Sequence, residues 1–102
     1  TPTVADGLSC RRPGNNPFPI IEKNVDELIS VTEEEILKAT KLLAQEAKVV
    51  GEPSACVGVA AAMAHKIQIK PGEKVCFVLT SGNWDIDLLG KIYNDMPVPA
   101  VN

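Results

Sequence analysis

An α/β layer with parallel strands, incomplete on its own, is the architecture this sequence predicts, and three observations predict it. The elements run strand, helix, helix, strand, helix, an order that parallel sheets use. Residues 74–80 are apolar almost without interruption, as strands buried on both faces are. Residues 55–66 read as a helix with no polar side, so neighbours must cover it all round. Two strands cannot do that, because a two-stranded sheet alone is marginal. The chain therefore reads as part of a larger α/β body whose other strands come from the same or a separate chain.

Each element has its own local reason. Residues 1–25 read as loop and a short helix: Pro13-Gly14 and Asn15-Asn16-Pro17 are turn signals, and a helical piece fits around 19–24. From 26 to 94 the strand-helix-helix-strand-helix order begins with a strand at 26–31, carrying Leu28, Ile29 and Val31. Thr32 then opens a capping box with Glu35, and three glutamates suit the positive end of the helix. Ile36, Ala39, Leu43, Ala47 and Val50 follow at helical spacing, with Lys38, Lys41, Gln45 and Lys48 elsewhere around the wheel. Gly51-Glu52-Pro53 ends that helix, and Ser54 is the expected N-cap of the apolar one at 55–66. Pro71-Gly72 makes a turn into the strand at 74–80. Ser81-Gly82-Asn83 turns into a last helix at 86–93, with Asp85 or Asn83 near its cap. Residues 95–102 contain two prolines and are expected to form a loose tail.

Composition narrows the function classes. The 102 residues suit one domain, with a net charge of -3 and no Lys/Arg stripe, so neither nucleic acid nor an anionic membrane is an expected partner. Arg11-Arg12 is too short to form a patch. No apolar run approaches the roughly 20 residues that cross a bilayer, and the N-terminus lacks a secretory apolar region. Cys10, Cys56 and Cys76 are far apart and odd in number, and the single His65 has no metal partner at useful spacing. They read as reduced cysteines of a cytoplasmic protein, two of them buried.

In open α/β sheets, ligands sit at the carboxyl ends of the strands. Thr80-Ser81-Gly82-Asn83 has that position, with two hydroxyls, an amide and a glycine that lets a ligand approach the backbone. An ordinary strand-to-helix turn, with Asn83 as cap, accounts for the same residues. Glu52 stands at another junction and reads either as a site residue or as an acid near a helix N-terminus.

Three ordered blocks carry a resemblance. Thr3-Val4-Ala5-Asp6-Gly7 with Arg11-Arg12-Pro13-Gly14 resembles the A-D-G…K-R-P-G segment of threonine dehydratases. Glu52-Pro53-Ser54-Ala55-Cys56-Val57-Gly58-Val59-Ala60-Ala61 is similar to the E-P-[ST]-[AG]-x-V-G-V-A-A run of serine racemases. Val78-Leu79-Thr80-Ser81-Gly82-Asn83-Trp84-Asp85 resembles their V-L-S-G-G-N-x-D. The family is the serine/threonine dehydratases and serine racemases, enzymes of pyridoxal 5'-phosphate (PLP) with the type II fold. The resemblance implies that residues 1–102 are a C-terminal segment of the large three-layer catalytic domain.

It also implies roles. Thr80 stands where the family has a serine whose hydroxyl bonds the pyridine nitrogen of PLP. A neutral hydroxyl does not force that nitrogen to be protonated, which makes the ring a weaker electron sink. Glu52 corresponds to a glutamate near the ring, and Asp6 and Gly7 to a loop on the substrate side, Gly7 also facing the cofactor. Lys48 and Asn83 correspond to contacts for a nucleotide effector. Ser81 departs from a family glycine, and Trp84 from a smaller residue.

The family's Schiff-base lysine, its Gly-rich phosphate loop and the carboxylates of its divalent cation all lie upstream of the matching region. None has a counterpart here: Lys66, Lys70, Lys74 and Lys91 have the wrong neighbours. The expected activity of the complete protein is β-elimination of L-threonine or L-serine to a 2-oxo acid and ammonia. Serine racemase and a non-catalytic module of the same fold are the alternatives, and a homodimer is the expected assembly.

Overall fold

The structure is a computed structural model that describes residues 3–83 and 85–95. Its helices are α1 (Pro17–Asn24), α2 (Glu33–Leu42), α3 (Val57–Met63) and α4 (Ile86–Tyr93), with 3-10 turns at Asp6–Leu8 and Pro53–Cys56 and a π turn at Leu43–Ala47.

Helix α2 begins where its capping box puts it. The Thr32 hydroxyl accepts from the Glu35 N–H at 3.2 Å, and the Glu35 carboxylate accepts from the Thr32 N–H at 2.8 Å. Its buried stripe meets α3 through small side chains. Ala39, Cys56 and Ala60 are fully buried and, with Leu43, form one core cluster; Val4, Ala5 and Ile36 form a second. Small residues let the two helix backbones approach closely, and tight packing is what interiors require.

The helical stripe expected to run through Ala47 and Val50 stops short. The π turn Leu43–Ala47 widens the helix by a residue, which rotates later positions away from α3. Ala47 and Val50 are exposed as a result. Lys48 closes the element in the left-handed conformation, φ 58°.

The apolar helix is shorter than residues 55–66. Its first turn is 3-10, and Ser54 lies inside that turn rather than capping it; the cap position belongs to Glu52. Its far end is a Schellman motif: Lys66 N–H bonds the Ala61 carbonyl at 2.9 Å and His65 N–H the Ala62 carbonyl at 3.1 Å. His65 holds the left-handed position with φ 58°, where glycine is usual. Lys66 then reaches back to the Ser30 carbonyl and the Glu35 carboxylate, at 2.9 and 2.8 Å.

Neither expected strand forms. Residues 26–31 and 74–80 are irregular, and no β-strand occurs among the described residues. A strand exists through its ladder, and these segments have no neighbour to pair with. Their apolar side chains lie open, Leu28 at 87% and Val78 at 76% exposure. Helix α3 shows the same deficit. Ala60 and Ala61 are buried, but Val57, Gly58, Val59 and Ala62 are only half covered and Met63 is exposed. Two of the three cysteines were expected to be buried, but only Cys56 is; Cys10 and Cys76 are exposed, Cys76 within the unpaired segment.

The last helix spans residues 86–93 as expected, and Asp85, not Asn83, caps it by accepting from the Asp87 N–H at 2.9 Å. It docks on α2 through buried Ile92 and through Lys41, whose ammonium meets Asp95 at 2.7 Å. Trp84 and the tail at 96–102 lie outside the described residues.

Candidate functional site

Three segments distant in sequence meet beside the entrance to α3. The backbone N–H of Glu52 donates to the Ser81 carbonyl at 3.0 Å, joining the end of the 74–80 segment to the turn before α3. The backbone N–H of Gly7 donates to the Ser54 hydroxyl at 3.0 Å, joining the Asp6–Leu8 turn to the same place. Residues 7, 52 and 81 are thus tied together through backbone donors.

Glycine is required at two of these contacts. A Cβ on Gly7 would lie 2.9 Å from Ser54 Oγ and 3.8 Å from Glu52 Oε1. A Cβ on Gly82 would run into the Val50 carbonyl oxygen, a rigid backbone atom that cannot turn aside.

The side chains left over are those with chemistry to offer. Glu52 holds the cap position of the 3-10 turn, yet its carboxylate makes no capping bond; its backbone carbonyl accepts from Ala55 N–H at 2.9 Å instead. Glu52 is thus an acid at a helix N-terminus, as one of its two readings has it, but its carboxylate does not cap the turn. Thr80 is exposed, and its hydroxyl makes no hydrogen bond among the described residues. Asp6 is exposed too, while its carbonyl accepts from both the N–H and the hydroxyl of Ser9. Below them lies Cys56, with its thiol directed at the Gly51 carbonyl at 3.6 Å. Burial pushes that thiol up from its ordinary pKa, Thr40 opposes the shift, and the negative Glu52 adds to it. Cys56 is therefore a neutral packing residue and not a nucleophile.

Lys48 and Asn83 are both exposed and stand on adjacent segments, since Val50 abuts Gly82. The Lys48 ammonium folds onto the Gln45 carbonyl at 2.5 Å. Asn83 donates its backbone N–H to Ser81 Oγ at 3.3 Å, so the serine that departs from the family glycine closes its own turn. A groove of about 650 Å³ opens elsewhere, between the N-terminal segment and residues 29–31, and is lined by Ala5, Leu8, Cys10, Ile29, Val31 and Ile36. It contains neither Glu52 nor Thr80. Among the described residues no group of three His, Cys, Asp or Glu side chains is arranged to hold a metal ion, and no helix is long and apolar enough to cross a membrane.

Residues 1–81 match the family described as pyridoxal-phosphate dependent enzyme. The chain belongs to that family. It is 43% identical over 93 residues to L-threonine ammonia-lyase of Thermotoga maritima, covering 91% of this chain and 23% of that protein. It is 43% identical over 86 residues to human serine racemase, covering 82% and 25%. To L-threo-3-hydroxyaspartate ammonia-lyase of Saccharomyces cerevisiae it is 40% identical over 84 residues, covering 82% and 26%. The chain thus spans about a quarter of the length of these relatives and groups with the ammonia-lyases and serine racemases of the type II PLP fold.

The groups gathered here are of the kinds a PLP ring would take: a Thr80 hydroxyl and a Glu52 carboxylate that make no hydrogen bond among the described residues, and at residue 7 a backbone with no room for a side chain. This segment contains no Gly-rich loop to take the phosphate and no lysine in the family's S-x-K-x-R setting.

Sequence reasoning missed the two residues that hold the site together. Ser54 was expected to cap a helix and instead binds Gly7, 47 positions away. Glu33 lies in the first turn of α2 as expected and also binds the N-terminal segment, accepting from the Thr3 hydroxyl and, at 2.7 Å, from the Val4 N–H. No local pattern encodes either partner.

Proposed function

We propose that the complete protein containing this segment is a PLP-dependent L-threonine/L-serine ammonia-lyase, giving a 2-oxo acid and ammonia by β-elimination. The observation that carries the reading is the Glu52–Ser81 backbone bond. It brings Glu52 and the Thr80 turn together, and among the described residues neither the Glu52 carboxylate nor the Thr80 hydroxyl makes a hydrogen bond.

When bound, PLP supplies the electron sink that weakens the substrate's Cα–H bond. Thr80 would hold the ring nitrogen through a neutral hydroxyl, and a sink held that way would be weak, which suits prompt loss of a β-hydroxyl. Glu52 would stand beside the ring, and Gly7 and Asp6 would face the substrate. Lys48 and Asn83 form the candidate contact for a nucleotide effector. The exposed apolar faces at 26–31, 74–80 and α3 are covered by the remainder of the catalytic domain, in a cytoplasmic homodimer.

Serine racemization is the second reading, supported by the Glu52-to-Ala61 run and by identity to human serine racemase equal to that of the first-named lyase. One assay separates the two. The complete protein is incubated with PLP and L-threonine or L-serine, and 2-oxobutyrate, pyruvate and D-serine are measured. Oxo acid as the main product supports the lyase, and D-serine as the main product supports the racemase. A folded, PLP-loaded protein that forms neither would overturn both in favour of a non-catalytic module.

A further inference from the structure

Three consecutive glutamates open α2, and the structure gives each a different task. Glu35 completes the capping box and meets Lys66. Glu34 pairs with Lys38 at 3.1 Å on the surface. Glu33 turns the other way. Its two oxygens accept from the Thr3 hydroxyl and the Val4 N–H, about thirty positions earlier, and Thr3 Oγ1 in turn accepts from the Ala5 N–H at 3.1 Å. Complementing the helix dipole needs no such partners.

The tether leaves little slack before the site. Val4 and Ala5 are buried at 4% and 3% exposure in a cluster with Ile36, with Val57 packed against it. The Ala5 carbonyl accepts from the Leu8 N–H at 2.9 Å to start the 3-10 turn, and Gly7 is bonded to Ser54. One end of the Asp6–Gly7 turn is therefore held by Glu33 and the other by Ser54, next to Glu52.

We propose that Glu33 is a positioning residue for substrate binding, fixing the Asp6–Gly7 turn through Thr3 and Val4. This rests on the reading of that turn as the substrate side of the site. Glu33 acts on where the turn sits and touches no reacting atom.

The test uses the complete PLP-loaded protein and steady-state kinetics with L-threonine and L-serine. Glu33→Ala removes both acceptors, and KM rises about tenfold, while kcat and the cofactor's visible absorbance stay within about twofold. Glu33→Gln restores a near-normal KM, because its amide oxygen accepts from Val4 N–H and its amide nitrogen donates to Thr3. An unchanged KM in Glu33→Ala, or a kcat loss in step with lost cofactor and stability, overturns the proposal. Should Glu33→Ala not fold, Thr3→Val decides by the same KM readout. Amide hydrogen exchange at Gly7 separates this claim from the enzymatic one: faster exchange in Thr3→Val supports the tether even in a protein without turnover, and unchanged exchange overturns it.

Discussion

Glu52 and Ser81 are joined by one backbone hydrogen bond of 3.0 Å, and the segments on either side of it run so close that Val50 leaves no room for a side chain at residue 82. Gly82→Ala forces these segments apart and is expected to cost about 1–3 kcal/mol of stability. It also lowers PLP affinity, because Thr80 moves relative to Glu52. Thermal denaturation and cofactor titration of the complete protein measure the two effects together.

Thr80 tests the chemical requirement more finely. Thr80→Ser keeps the hydroxyl and retains turnover, whereas Thr80→Val keeps the shape, loses the hydroxyl and drops turnover about tenfold or more. Equal activity in both variants would remove Thr80 from the cofactor's polar contacts.

The Glu35–Lys66 pair sets a pH dependence. Hydrogen bonding from Lys66, and then from the Thr32 N–H, holds the Glu35 carboxyl below its ordinary pKa. A carboxyl lowered in the folded state stabilises the fold above its unfolded pKa, and that contribution disappears as pH falls through the lowered folded value. Lys66→Met therefore reduces the melting temperature at neutral pH, and the gap from the parent protein narrows on acidification. A gap independent of pH would mean that the pair contributes nothing through its charge.

His65 holds a left-handed position that favours glycine. His65→Gly is expected to stabilise the fold by about 1 kcal/mol, the relief of a side chain at the left-handed position just past the helix end in a Schellman motif. Urea denaturation of the two proteins gives the difference directly.

What could be read from the sequence followed the distance between partners. The Thr32–Glu35 box and the Asp85 cap are closed by residues two or three positions away, so α2 and α4 begin where expected. The links Gly7–Ser54, Val4–Glu33 and Glu52–Ser81 span 29 residues or more and leave no local trace. The helical spacing of Ala47 and Val50 was misleading, because periodicity carries no sign of a π turn. Residues 26–31 and 74–80 have strand-like composition, but a ladder needs partners that the described residues do not include. The roles of Thr80 and Glu52 were suggested by the ordered blocks alone. The structure adds that Glu52 and the turn carrying Thr80 are held together and that neither functional group makes a hydrogen bond among the described residues.

The most direct test is a crystal structure of the complete protein with PLP bound. The pyridine nitrogen is expected within hydrogen-bonding distance of the Thr80 hydroxyl, with Glu52 beside the ring and the Glu52–Ser81 bond intact. A ring nitrogen bonded to a different side chain, with Thr80 turned away from the cofactor, would contradict that expectation.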